Sequence, residues 1–375
     1  MILIVSDGLL DYGGFASLAH KFYLKYRESY DVTLLHFLIH GETLPTTDEV
    51  NYCRIFRFRL PSGPIPVNDL IDPSDLLRLH PILTKKYSCT VATSPASLYL
   101  ASLVFPGNKM IYFRGGFSLQ DSLVPHLGDR AVDSVDESLI IKYVNRGTTA
   151  FENVAFQSGA EIRVILSSHM GEYIFRLLTR HNVYVQNPTT TVEGVMPLAY
   201  ISSSGTGNYE DQIRRVRNKD FDLVFVVSAH GRPMKNSELA LSIFRRLTEL
   251  RKVVIGKGSQ EMFTDCQNLM TYEFLPNTSV QEILSRSKVI IIPSCMDVGP
   301  EVFYEGIVNG CIPIISRGCG FSRYVTDRYR VDTFDIEVWC QRILSHLKEG
   351  FNPDDFETVG HLIIDSSLHF DRLLA

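Results

Sequence analysis

Two apolar runs rich in isoleucine, Ile290 to Ile292 and Ile312 to Ile315, constrain this chain more than any other feature. Runs of this kind suit parallel strands buried on both faces. The segment between them is too short for a long connection, so a helix from about Glu301 to Asn309 must carry the crossover. Pro300 suits its first turn, where no backbone donor is needed, and Gly310 suits its end. Two parallel strands joined this way form a right-handed unit whose helix starts beside the carboxyl ends of the strands. Ligands of open α/β sheets bind at that edge.

The start of such a helix favours an anion through its free amide donors and its dipole, but the dipole contributes only about 0.3–1 kcal/mol, or about 2 when partly buried. A diphosphate needs cations as well. Glu305 lies one turn below Glu301 on the same face, and carboxylates placed there can accept two sugar hydroxyls. The alternative is that both line a solvated helix face. Gly306 speaks for a closer approach by backbone or ligand, since glycine inside a helix costs roughly 0.8–1 kcal/mol relative to alanine.

The run Asp297 to Ile315, D-V-G-P-E-V-F-Y-E-G-I-V-N-G-C-I-P-I-I, resembles the E-x7-E signature of retaining family 4 glycosyltransferases. The resemblance implies the α/β fold called GT-B, two facing Rossmann-like domains with parallel sheets and an interdomain cleft. It implies that Asp297 stands by the donor sugar, that Glu305 holds the nucleotide ribose, and that Gly299, Pro300, Glu301 and Val302 line the diphosphate. Asp297 departs from the glutamate usual at its position, and its shorter side chain alters the reach to the sugar.

Met1 to Val5, a loop ending in Gly13-Gly14, a helical run through Leu18, Phe22 and Tyr26, and Val32 to Phe37 make a βαβ start. A dinucleotide site is not expected there, because the G-x-G-x-x-G fingerprint is missing and no acid ends the second strand. The resemblance instead makes Gly14 a backbone contact to the donor. Arg54, Arg57 and Arg59 alternate with apolar residues, as on a strand with one wet face or on an anion-binding surface; Pro61 to Pro66 follows as a loop. Strands are expected at Cys89–Ala92, Met110–Phe113, Ile162–Leu166 and Val183–Val185, with a helix from Ser94-Pro95. Arg114, followed by Gly115-Gly116, ends one of these strands on the cleft side. It is a candidate for contact with the sugar or an acidic acceptor, where many relatives have histidine, or else an ordinary ion-paired arginine. Asn187-Pro188 resembles the family's exit to the linker, and the polar stretch Ser202 to Asp220 is the clearest break in composition.

The second half repeats the plan: strand Leu223–Val227, a turn Ser228 to Lys235, and a helix Ser237–Leu250. In the resembled family an arginine and a lysine of this turn grip the diphosphate, and Arg232 and Lys235 match them, with Gly231 beside them. The spacing is shorter than the common form. Ordinary loop cations are the alternative, but the anion-ready helix on a neighbouring strand favours function. Val253–Ile255 and Thr271–Leu275 complete the sheet, with Phe274 and Leu275 expected near the base. Asp220-Phe221-Asp222 spells a metal-binding D-x-D, yet it precedes its strand and so falls at the wrong end of the sheet. A helix with the lone Trp339 follows, and a last helix, His361–Leu374, is expected to return to the first domain.

These readings divide the chain into an acceptor-side domain (1–190), a donor-side domain (191–350) and a C-terminal helix (351–375). A net charge of −5 argues against nucleic acid as a partner. No apolar run reaches the length of a membrane span and no signal-peptide pattern follows Met1, so a cytoplasmic protein, with at most peripheral membrane contact, is expected. Seven cysteines without C-x-x-C spacing fit a reducing setting and argue against zinc. The expected activity is retaining, metal-independent transfer of a hexose from a nucleotide-diphosphate sugar, with a lean to GDP-mannose, onto a glycan or other hydroxyl acceptor. No cofactor is expected. Arg232 and Lys235 would stabilise the leaving diphosphate and Asp297 would hold the sugar. A nucleotide-sugar-binding protein without catalysis is the rival.

Overall fold

The computed structural model describes residues 1–7, 14–39, 51–55, 71–115, 120–128, 130, 132–144, 146–185, 187–195 and 219–374. The first sheet contains β1 (Ile2–Asp7), β2 (Val32–Ile39), β3 (Asn51–Ile55), β4 (Cys89–Ala92), β5 (Met110–Arg114), β6 (Ile162–Leu166) and β7 (Thr190–Val195), in the order β3-β2-β1-β4-β5-β6-β7. The second contains β8 (Phe221–Ala229), β9 (Lys252–Lys257), β10 (Leu269–Tyr272), β11 (Ser287–Ile292), β12 (Ile312–Ser316) and β13 (Arg330–Val331), in the order β10-β9-β8-β11-β12-β13. Neighbouring strands are parallel throughout both sheets.

Strand order reverses between β1 and β4 in one sheet and between β8 and β11 in the other, and a crevice opens at each reversal. Alternation along β1 sends Leu3 and Val5 into one core and Ile2 and Ile4 into another, so the first sheet is covered on both faces. The second domain packs Phe225, Phe244, Ile290 and Trp339 into a single core. The helix Glu301–Val308 joins β11 to β12 as the apolar runs require, and Gly310, with φ of 70°, ends it.

Five expectations are revised, the first being the strand expected at Thr271–Leu275, which instead runs from Leu269 to Tyr272. Val183–Val185 is not a strand: the amides of Val183 and Tyr184 both donate to the Leu178 carbonyl and close the helix His169–Arg180. The edge strand is Thr190–Val195, whose partly exposed, polar sequence hides it, so the first sheet extends past the boundary at 190. The helix from Ser237 stops at Arg246, because the buried Lys252 ammonium donates to the carbonyls of Leu247 (2.6 Å) and Thr248 (3.3 Å) and terminates it. The last helix begins at Glu357, earlier than His361. It does return to the first domain: Phe370 stacks on Phe22 at 4.8 Å, and the Tyr26 hydroxyl donates to Asp371 at 2.6 Å. Asp220 and Asp222 lie at the amino end of β8, paired with Arg286 and Lys288 at 2.7 Å each, away from the cleft as expected. Arg57, Arg59, the loop 61–66, Gly116 and most of the polar break, 202–218, lie outside the described residues.

Candidate active site

The turns after β8 and β11, the strands flanking the second domain's crevice, are tied to each other. The Cys295 amide donates to the Met234 carbonyl at 2.9 Å, and the Asn236 side chain donates to the Pro293 carbonyl at 3.2 Å. Local chemistry shapes the first turn. Pro233 opens a single 3₁₀ turn, Pro233–Lys235, and Asn236 adopts a left-handed conformation (φ 53°, ψ 49°) that re-aims the chain into the helix Ser237–Arg246. Asparagine tolerates that conformation better than most residues. His230 anchors the turn from below, buried with its Nδ1 3.1 Å from the Ser237 hydroxyl; burial pushes its pKa down to about 4.

This arrangement sets the Lys235 ammonium on the Asp297 carboxylate, which is itself buried. Asp297 lies in an extended segment that its amide and carbonyl hold against Gly318 (2.9 Å) and Gly320 (2.7 Å). Arg232, partly buried, reaches Met234 Sδ at 2.9 Å. Pro300 occupies the N-cap position, one residue before the helix proper, and no side chain caps that end. The end of the helix therefore presents the amides of Glu301 and Val302, which no turn of the helix itself can satisfy.

Across the cleft, the helix Gly14–Tyr26 of the first domain brings a residue that the sequence reading missed. The Lys21 ammonium lies 3.3 Å from Glu305 and 3.4 Å from Glu301. Burial opposes its charge, but the two carboxylates more than compensate and hold Lys21 above the ordinary lysine range. Burial raises the pKa of Glu301, against the pull of Lys21. Glu305, also buried, accepts in addition from the Asn277 side chain at 3.4 Å. A lysine mid-helix, so distant in sequence from its acids, carried no local signal.

The domains meet around the loop between β11 and this helix. Met296 and Val298 are fully buried in a core of the first domain, and a Cβ on Gly299 would stand 2.8 Å from the Ser167 hydroxyl. A side chain at Gly299 would thus push Ser167 aside at the interdomain contact. Gly306 has a similar cause, since a Cβ there would lie 2.8 Å from Ile290 Cγ2; the close approach is to a strand, not to a ligand. Gly14 is the first residue of its helix, behind β1. Gly231 is exposed beside Arg232, Val302 is partly buried in the first helical turn, Phe274 is 47% exposed beyond β10, and Leu275 packs partly on the second core.

Arg114 is the correction. It is 3% exposed, and its guanidinium lies 2.8 Å from Glu152, a fully buried carboxylate that also accepts from Tyr112 and Tyr184 at 2.7 Å each. Burial works against the charge, but Glu152 outweighs it and raises the Arg114 pKa further. The side chain serves the interior of the first domain and does not face the cleft. A separate interdomain cavity of about 360 Å³, lined by His169, Tyr173, Arg317, Cys319 and Arg323, borders the segment that pairs with Asp297. It touches neither Arg232 nor Glu305.

The sequence of residues 208–358 matches the family model described as glycosyl transferases group 1. That segment is a group 1 glycosyl transferase domain. Over the whole chain the fold is GT-B. A trehalose-phosphate synthase (UDP-forming) from Burkholderia xenovorans, solved with glucose-6-phosphate, aligns with a TM-score of 0.62 at 12% identity, over 100% of both chains. HepE of Anabaena in complex with UDP-glucose aligns at 0.57 and 12%, covering 98% of this chain and 94% of that one. WaaG, a glycosyltransferase of lipopolysaccharide biosynthesis, aligns at 0.56 and 14%, covering 97% and 95%. At such identities the likeness concerns the fold. No curated protein sequence matches the chain. Among the described residues no helix is long and apolar enough to cross a membrane.

Proposed function

We propose that this protein is a retaining glycosyltransferase that takes a hexose from a nucleotide-diphosphate sugar bound chiefly to the second domain. One observation carries the reading. The cation-bearing turn Arg232–Lys235 and the loop that leads to the uncapped helix start at Glu301 follow adjacent strands at the crevice, and turn and loop are hydrogen-bonded to each other through Met234 and Cys295. A diphosphate placed there meets amides and cations together. As the bond from the anomeric carbon to the phosphate oxygen breaks, charge grows on the leaving diphosphate, and preorganised donors contribute roughly 2.7–4 kcal/mol each at such a point. Arg232 and Lys235 fill that role in this account, and no divalent metal is assigned one.

Glu305 anchors the ribose hydroxyls, and Asp297, steadied by Lys235, accepts from the sugar. The acceptor hydroxyl attacks from the face the diphosphate leaves, and its proton passes to the departing phosphate oxygen, so the anomeric configuration is kept. The acceptor is read as a glycan or another hydroxyl compound. UDP-glucose is the first donor to try, given the ligand of HepE, and GDP-mannose the second. Calorimetric titration with both, followed by NMR of the product anomer in the presence of EDTA, tests donor, stereochemistry and metal independence in turn. Binding of no nucleotide sugar overturns the reading. Glu305→Ala should weaken nucleotide binding by about 1.5–3 kcal/mol.

A second reading, a nucleotide-sugar-binding protein that transfers nothing, is favoured by the burial of Arg114, which removes the first-domain side chain expected at the sugar. Donor binding with neither transfer nor hydrolysis would establish it.

A further inference from the structure

Lys21 is the one described basic side chain of the first domain that reaches Glu301 and Glu305, the carboxylates at the proposed nucleotide site. Its helix is a firm base. Phe22 and Tyr26, the next residues along that helix's inner side, are buried against the first sheet and the returning C-terminal helix, with Phe22 stacked on Phe370 and Tyr26 bonded to Asp371. Side chains four apart share a helix face, so fixing Phe22 and Tyr26 fixes the direction from which Lys21 leaves. The lysine stem is largely covered, with 17% of the side chain exposed, so the ammonium is delivered from a defined position.

The distribution of contacts on Glu305 is uneven. Lys21 from one domain and Asn277 from the other both donate to Oε1, at 3.3 and 3.4 Å. Oε2 has no donor among the described residues. A carboxylate clamped through one oxygen offers the other, in a fixed plane, to a vicinal diol. Asn277 belongs to the same domain as Glu305 and can hold it whatever the cleft does. Lys21 can hold it only while the two domains are together.

Lys21 also bears on charge. A diphosphate at the helix start would lie beside Glu301, a carboxylate where like charge is costly. An ammonium shared between Glu301 and Glu305 offsets that repulsion without itself occupying the amide tips. Lys25, one turn further along the helix, is directed to Asp371 instead and is no substitute.

We propose that Lys21 is a positioning residue of the first domain that sets Glu305 for the ribose hydroxyls, so that recognition of a ribonucleotide depends on domain closure. The inference rests on the donor-site reading above, and its test separates the two. UDP or GDP, whichever binds the unmodified protein, is titrated beside its 2′-deoxy form. A carboxylate held for the diol should prefer the ribonucleotide by roughly tenfold or more, the loss expected when a hydrogen bond to a charged group is removed.

In Lys21→Met the preference should fall to less than about threefold through weaker ribonucleotide binding, while the deoxynucleotide is affected much less. A role confined to fold stability would move both affinities together. Lys21→Gln, with melting temperature measured in parallel, gives the same comparison if the methionine variant does not fold. The inference is overturned if either folded variant keeps the full preference, if both nucleotides weaken equally, or if binding tightens, which would make Lys21 a competitor of the nucleotide. If the unmodified protein binds neither nucleotide, the donor-site reading itself fails and the inference goes with it, whatever the variants do.

Discussion

Arg114 is the last residue of β5 and Lys235 lies on the turn after β8, and each side chain ends on a carboxylate, Glu152 or Asp297. Their surroundings differ. Glu152 accepts from two tyrosines as well as from Arg114, and pair and tyrosines are sealed within one domain. Asp297 and Lys235 retain 7% and 16% side-chain exposure, and they sit between two loops at the crevice where strand order reverses. A pair sealed in the interior with its own tyrosine partners is a structural part, while a pair at a crevice has something left to exchange. Position at the end of a strand does not distinguish them; the number of partners already present does.

The largest effect should come from the sealed pair. Arg114→Met leaves Glu152 charged and without its cation, a loss of about 3–5 kcal/mol in unfolding free energy, measurable by denaturant titration of the first domain. The folded fraction should bind nucleotide sugar as before. If instead the variant is stable and donor or acceptor KM rises, Arg114 belongs to the cleft and the contrast is wrong.

Arg232→Ala should do the reverse, lowering kcat by roughly 10²–10³ with little change in stability. Lys235→Ala should resemble it, with an added cost from the Asp297 carboxylate left alone. Equal loss of stability in these variants and in Arg114→Met would abolish the distinction between the two regions.

The alternation of side chains in β5 placed Tyr112 and Arg114 on one face and Phe113 on the other, and that much was readable. Glu152, which decides the fate of Arg114, comes from a helix on the far side of a long stretch of sequence with no pattern linking them. The same holds for Lys21. By contrast, the elements around Asp297, Glu301 and Glu305 were legible because strand, uncapped helix start and stop lie within one short βαβ unit whose spacing dictates its geometry. The role of Gly306 was half legible: its absent Cβ signals contact, but only coordinates reveal that the contact is Ile290. Thr190–Val195 escaped because an edge strand need not be apolar.

His230 tests whether the cation turn of the second domain has a hidden support comparable to Glu152. It takes up its proton only near pH 4 when folded, against 6.5 for the free side chain, because it is buried beside Phe225 and Phe263. Between these values the unfolded chain binds more protons, so the histidine's contribution is complete above about pH 6.5 and is lost as pH falls toward 4. The loss should be on the order of 3 kcal/mol, and His230→Asn should flatten that limb in a pH series of second-domain unfolding. An unchanged limb would mean that His230 is not the group whose burial opposes protonation there.

The smallest effect is expected from a third pair, Arg323–Asp133, which crosses between the domains at 3.2 Å with side chains 65% and 46% exposed. Like the other two it joins a cation to a carboxylate, but water competes for both partners, and pairs of this kind contribute about 0.2–1 kcal/mol. Arg323→Ala should therefore shift unfolding by less than that, and added salt should erase the difference. Because this pair also joins the two domains, a large effect on donor affinity would show that interdomain contact, and not the number of buried partners, sets the importance of an ion pair in this molecule. An effect confined to the low-salt range would leave the ordering by burial in place, from Glu152 through Asp297 to Asp133.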